Sequence, residues 1–228
     1  MFTGIVEEMG RVRTCRPTGD GPDDGFELAI DCAAALEGTR LGDSIAVNGV
    51  CLTVTAMDGA GFVTGLAPET RARTNLDALE PGSRVNLERS VTPTTRMGGH
   101  FVQGHVDATG RIEEFREDAD ALWVTVALDP ALMRYVVPKG YVAIDGTSLT
   151  VVNAGADTFD VTLVAYTQSH IVLPTRAPGD RVNVEVDVLG KYVERLLGDR
   201  AAPPAAGSDP TTDSPAASSP AASQGEHP

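Results

Sequence analysis

The sequence predicts an all-β protein made of two tandem copies of one antiparallel barrel or sandwich, and three observations carry this. Asn48-Gly49-Val50-Cys51-Leu52-Thr53-Val54-Thr55 returns 97 residues later as Asp145-Gly146-Thr147-Ser148-Leu149-Thr150-Val151-Val152. Laying 43–91 on 140–188 without a gap matches about one position in three, where chance gives about one in sixteen. Short stretches of alternating apolar and polar residues, separated by Gly/Pro/Asn/Asp turns, carry the period of half-buried strands. A repeat of this length is too long for a solenoid, which repeats every 20 to 50 residues or so, and implies a separate core in each copy. Closure of each sheet would remove its exposed edges.

Taken in order, residues 1–13 read as a strand through Phe2, Ile5, Val6 and Val12, with Gly4 and Gly10 marking a bend or bulge. Residues 15–25 read as a turn region, 25–31 as a half-buried strand and 33–37 as a short helix or turn. Residues 43–55 form a hairpin turning at Asn48-Gly49. Its alternation sends Val50, Leu52 and Val54 to an apolar face, and Cys51, Thr53 and Thr55 to a face able to meet a polar ligand. A strand over 61–66, a short helix over 70–79 and a strand over 83–91 complete the copy. The second runs in parallel through 99–107, 121–128, 142–152, 158–164 and 181–186. Thr3-Gly4-Ile5-Val6 lies over Gln103-Gly104-His105-Val106, in a register three residues from that of the rest.

Residues 188–197 change period, with Leu189, Tyr192, Val193, Leu196 and Leu197 on one stripe. A helix this short must pack its stripe, either on its own barrel or on equivalents in an oligomer. From about Asp199 the Ala/Pro/Ser/Gly composition predicts disorder. The charge of −14 argues against phosphate contacts to nucleic acid. No apolar run long enough to span a membrane and no leader-like start are present, which predicts a cytoplasmic protein. Cys15, Cys32 and Cys51 show no CxxC spacing, and with four scattered histidines they predict neither disulfides nor a metal site.

Met1-Phe2-Thr3-Gly4-Ile5-Val6, Asn48-Gly49-Val50-Cys51-Leu52-Thr53, Gly98-Gly99-His100-Phe101-Val102-Gln103-Gly104-His105-Val106-Asp107, Lys139-Gly140, Asp145-Gly146-Thr147-Ser148-Leu149-Thr150 and Lys191-Tyr192-Val193-Glu194 together resemble the riboflavin synthase alpha-chain family, over residues 1 to about 197. The resemblance implies two tandem six-stranded antiparallel Greek-key barrels with a C-terminal helix. The first would occupy 1–97 and the second 98–187, followed by a trimerisation helix at 188–198 and a tail at 199–228. It implies a cytoplasmic homotrimer, with lumazine synthase as a further partner. Its reaction would be the cofactor-free dismutation of two 6,7-dimethyl-8-ribityllumazine molecules to riboflavin and 5-amino-6-ribitylaminouracil. Two copies of one substrate need two similar pockets, and orienting the pair can lower the barrier by about 7 to 11 kcal/mol.

Carried over by residue, the first pocket would use Gly4, Ile5 and Val6, then Cys51, Leu52 and Thr53, then Gly65, Leu66, Ala67, Pro68, Glu69 and Thr70. The second would use Gly104, His105 and Val106, then Lys139, then Ser148, Leu149 and Thr150, then Thr162, Leu163, Val164, Ala165, Tyr166 and Thr167. His105, Cys51, Ser44, Thr150 and Asp187 make up the implied catalytic set. His105 suits proton transfer because an ordinary imidazole titrates near pH 6.5. Phe2 and Thr3 lie at the barrel interface in the family and matter for activity there. Taken alone, Cys51 reads as a small buried strand residue, His105 as a structural histidine and Lys139 as a solvated turn charge. Asp187 alone reads as a strand end. The copies differ at Cys51/Ser148, Ile5/His105, Ser44/Tyr141 and Glu69/Tyr166, which suits one donor and one acceptor site. The rival reading is a non-catalytic lumazine- or flavin-binding protein, whose relatives tend to lose the ligand residues of one half. A flavin-reductase-like chain would need a dinucleotide-binding GxGxxG that is missing here.

Overall fold

Six strands make each half in the computed structural model, which describes residues 1–19 and 25–198. The first half contains β1 (Glu8–Pro17), β2 (Phe26–Asp31), β3 (Ser44–Val47), β4 (Val50–Met57), β5 (Gly61–Leu66) and β6 (Arg84–Arg89). The second contains β7 (Ala108–Asp118), β8 (Ala121–Ala127), β9 (Tyr141–Ile144), β10 (Thr147–Ala154), β11 (Thr158–Leu163) and β12 (Arg181–Val186). All neighbours are antiparallel, and the sheets close in the orders β1-β2-β5-β4-β3-β6 and β7-β8-β11-β10-β9-β12. These are two barrels of one Greek-key topology, so no sheet edge is left open. Part of the turn region at 15–25 and the tail from Asp199 lie outside the described residues.

The repeat is legible in the cores. Phe62 and Phe159, Leu66 and Leu163, Leu76 and Leu173, and Val85 and Val182 are buried in the two separate clusters. In β4, Val50, Leu52 and Val54 are buried, Thr53 and Thr55 are exposed and Cys51 is intermediate, as the alternation predicts. The hairpin turns place Asn48 and Gly49 at φ 45° and 76°, and Asp145 and Gly146 at 44° and 77°. Two left-handed residues in succession match the twist of the flanking strands.

Three expectations need correction. Residues 1–7 are not part of a strand; β1 starts at Glu8 and runs through Cys15, and only Phe2 pairs there, in an isolated bridge to Val102. Residues 99–107 likewise precede β7 instead of forming a strand. In both segments the backbone groups are taken by side chains and by the other barrel, so they are not free for a ladder. The helix expected over 70–79 is two pieces, α1 (Pro68–Arg73) and a 3-10 turn at Asn75–Ala78. Between them Thr74 is extended, and its hydroxyl accepts from the Leu76 amide to cap the second piece. The described residues also form α2 (Pro130–Met133), α3 (Ala165–His170) and α4 (Val188–Gly198).

The halves meet through a buried polar belt with approximate twofold symmetry. Asn183 Nδ2 donates to the Asn48 carbonyl at 2.9 Å, and Asn86 Nδ2 donates to the Asp145 carbonyl at 2.9 Å. The Asn75 amide donates to Asn183 Oδ1 at 2.7 Å, and the Val172 amide to Asn86 Oδ1 at 2.8 Å. At the centre the two hairpin turns touch: a Cβ on Gly49 would stand 2.6 Å from the Gly146 nitrogen. Asp145 replaces the first copy's Asn48. It is fully buried, accepts from the Asn183 amide and Asn75 Nδ2, both at 2.8 Å, and pairs with Arg176 at 3.5 Å. Desolvation pushes its carboxyl above the ordinary range, with Arg176 acting in the opposite sense.

Candidate active site

The repeated strands β4 and β10 present Cys51 and Ser148 outward, and each is met by the opening segment of the other half. The Ser148 amide donates to the Gly4 carbonyl at 2.7 Å, and the Cys51 amide to the Gly104 carbonyl at 2.9 Å. Both glycines are left-handed, at φ 76° and 79°. A Cβ on either would come within 2.6 Å of the Cβ of Ser148 or Cys51, so only glycine permits the approach.

The contacts cross the expected grouping at Gly4 and at Gly104. Gly104, His105 and Val106 join Val50, Cys51, Ala67, Glu69 and Thr70 around a cleft of about 460 Å3 on the first barrel. That volume suits a small heterocycle. Gly4 lies instead against Ser148 of the second barrel. Sequence overlay could not reveal the exchange, because it aligns Gly4 with Gly104 but says nothing of which barrel each one touches.

The side chains of Leu52, Leu66, Leu149 and Leu163 face the barrel cores, so these residues offer a ligand only their backbone. Thr53, Thr150, Gly65, Ala67, Pro68, Glu69, Val164 and Ala165 are exposed, while Thr70, Thr162 and Thr167 are half-buried. Tyr166 is exposed and stacks on His170 with centroids 4.0 Å apart. Ser44 pairs with Thr53 across β3 and β4, but lines a different cleft, of about 700 Å3, with Ile5, Glu88 and Arg89. Phe2 and Thr3 are buried at the junction of the halves, Phe2 against Ala46, Val102 and Ala143.

Lys139 is exposed on the turn into β9, at φ 66°. Asp187 caps α4: its Oδ1 accepts from the Leu189 amide at 3.0 Å, and its carbonyl from the Gly190 amide at 3.0 Å. Asp187 also lines a groove of about 350 Å3 with Tyr135, Tyr141 and Glu194.

Two features escaped the sequence reading. His100 is buried, its Nδ1 lies 2.7 Å from Ser148 Oγ, and its ring stacks on Tyr141 with centroids 5.2 Å apart. Burial holds its pKa below 6.5, with the charge of Asp187 acting the other way. Its Nε2 has no partner among the described residues. The pair can pass a proton between hydroxyl and ring. Glu88 and Glu185 are the other omission: both are buried, and they bind the backbone of the two opening segments. Their identity in the two copies, at strand positions where a carboxylate is costly to bury, was the available signal.

The family model described as the lumazine binding domain matches twice, over residues 3–90 and 103–187. The chain belongs to the lumazine-binding domain family. Its relatives include the riboflavin synthase of Schizosaccharomyces pombe, 48% identical over 198 residues that cover 86% of this chain and 94% of that protein. The riboflavin synthase of Mycobacterium bovis is 46% identical, covering 86% and 98%, and that of Bacillus subtilis 42% identical, covering 86% and 90%. Among solved structures, LumP complexed with riboflavin superposes with a TM-score of 0.74 at 24% identity, over 82% of this chain and 99% of LumP. This lumazine-binding chain shares that fold.

Proposed function

We propose that the chain is a riboflavin synthase. In the proposed reaction one 6,7-dimethyl-8-ribityllumazine gives a four-carbon unit to another, forming riboflavin and 5-amino-6-ribitylaminouracil. The observation that carries this is the doubling of the frame around the first cleft: Cys51 with Thr70 in the first barrel and Ser148 with Thr167 in the second are both kept, and Cys51 and Ser148 are each met by a glycine carbonyl from the other half. The related riboflavin synthases support it, at 40–48% identity over most of the chain. A binding protein needs only one such frame.

In this reading backbone groups of β4, β5, β10 and β11 meet the amide-like edge of the heterocycle, and Thr70 and Thr167 meet ribityl oxygens. His105 in the first cleft and the Ser148–His100 pair in the second handle the proton lost from the 7-methyl group. Cys51, Ser44, Thr150 and Asp187 complete the set the resemblance implies, and Phe2 and Thr3 support it from the junction. The assembly is a homotrimer joined along α4, in the cytoplasm, with lumazine synthase as a further partner. The exposure of Leu189, Tyr192, Val193, Leu196 and Leu197 supports the trimer, since this stripe is not spent on its own barrel.

The test is incubation of purified protein with 6,7-dimethyl-8-ribityllumazine alone. Riboflavin and 5-amino-6-ribitylaminouracil are expected in equal amounts. Binding without either product would leave the non-catalytic reading standing.

A further inference from the structure

Two buried carboxylates that the proposed chemistry leaves unused, Glu88 and Glu185, sit in equivalent places and perform one task. Glu88, on β6 of the first barrel, accepts from the Thr3 amide at 2.7 Å, the Thr3 hydroxyl at 2.9 Å and the Gly4 amide at 2.9 Å. Glu185, on β12 of the second, accepts from the amides of Gln103 at 2.7 Å, Gly104 at 2.9 Å and His105 at 2.8 Å. They are 6% and 3% exposed. Three charge-assisted bonds converge on each carboxylate, which is what offsets the cost of burying it.

Each held segment ends on the opposite barrel. Gly4, fastened to the first barrel by Glu88, gives its carbonyl to Ser148 of the second; Gly104, fastened to the second by Glu185, gives its carbonyl to Cys51 of the first. A second clamp follows in each half. The Glu7 carboxylate accepts from the Arg89 amide at 2.9 Å, and that of Asp107 from the Val186 amide at 2.9 Å. Arg89 itself supplies the cation on Glu7, while Lys191 of α4 supplies it on Asp107, at 2.7 Å. His105 and Val106 therefore enter the first barrel's cleft on a segment fixed at both ends to the second barrel.

We infer that Glu88 and Glu185 are crossed positioning residues: each carboxylate, rooted in one barrel, shapes the ligand cleft of the other. The inference rests on the proposed function only for the choice of ligand. An ordinary structural carboxylate damages the barrel that contains it; a crossed one damages the neighbour's site.

The test is hydrogen–deuterium exchange of the full chain with and without riboflavin, comparing peptides that cover 50–54 and 65–74 with those covering 147–151 and 162–171. Whichever barrel riboflavin protects in the unmutated chain, protection there is expected to vanish with the substitution carried by the other barrel and to survive the one in its own. Glu185→Gln should remove protection of the first barrel and Glu88→Gln that of the second, with riboflavin affinity at the affected cleft about tenfold weaker. Glu185→Asp and Glu88→Asp, which keep the charge but draw it back from the amides, should show the same crossed pattern more mildly, and serve if the glutamine variants fail to fold. Loss confined to the mutated barrel, or equal loss in both, would overturn the inference. Failure of the unmutated protein to bind riboflavin at all would instead overturn the functional reading.

Discussion

At the scale of the residue, the two halves differ most where Cys51 stands on β4 and Ser148, with His100 against it, on β10. Because burial lowers the pKa of His100, its imidazole stays neutral at pH 6.5 and above, and takes a proton only as pH falls through the depressed value. Once protonated it can no longer accept from Ser148. Turnover should therefore show an acid limb below pH 6.5, and His100→Gln should change the shape of that limb while turning over about 100-fold more slowly; pH–rate profiles of both proteins decide this. Alkylation should also separate the cysteines. Burial pushes Cys32 up to about 12, so Cys51 should be modified by iodoacetamide at pH 8 well before Cys32, with riboflavin protecting it, as peptide mass mapping would reveal. Asp145 gives a pH effect of the opposite sense. Its raised pKa means that its contribution to stability is full below the ordinary carboxylate value of 3.8 and is lost as pH rises through the folded value. Urea unfolding of Asp145→Asn across pH 3 to 7 should show this slope removed. Cys51 and Ser148 could be found in the sequence because they stand inside the repeated hairpin; His100 could not, because it lies outside the repeat and acts only through a contact made in the fold.

At the scale of the element, periodicity located most of what it could. The alternation in β4 gave the correct buried face, and the change of period at Val188 marked α4 within a residue of its observed end. What it missed has a shared cause. Residues 1–7 and 99–107 are rich in strand formers, yet their backbone groups bond to Glu88, Glu185 and the opposite barrel, a tertiary override that local preference cannot register. α4 is anchored on one side by Lys191 to Asp107 and by Glu194 to Arg134 and Tyr135, and leaves its apolar stripe outward. Leu196→Glu should therefore give a monomer with intact far-UV circular dichroism and little riboflavin synthesis, read by light scattering and product assay. A fully active monomer would contradict the proposal that the working assembly is a trimer joined along α4.

At the scale of the whole molecule, two closed barrels are joined by a belt of asparagines around the Gly49–Gly146 contact. Asn183→Ala would leave the Asn48 carbonyl and the Asn75 amide without partners in a buried junction, at a cost of about 2 to 4 kcal/mol in chemical denaturation. The belt was legible only as the recurring Arg-Val-Asn of Arg84-Val85-Asn86 and Arg181-Val182-Asn183; that these asparagines face each other across the halves is a property of the assembled pair. The exchange of opening segments also bears on how such a chain could arise. A single-copy ancestor folded the same way would have had its first residues bound to a sister molecule and its own hairpin unfinished without them. Fusion of two such genes would have turned a partnership limited by concentration into a permanent one, and freed each half to drift toward its own share of the chemistry.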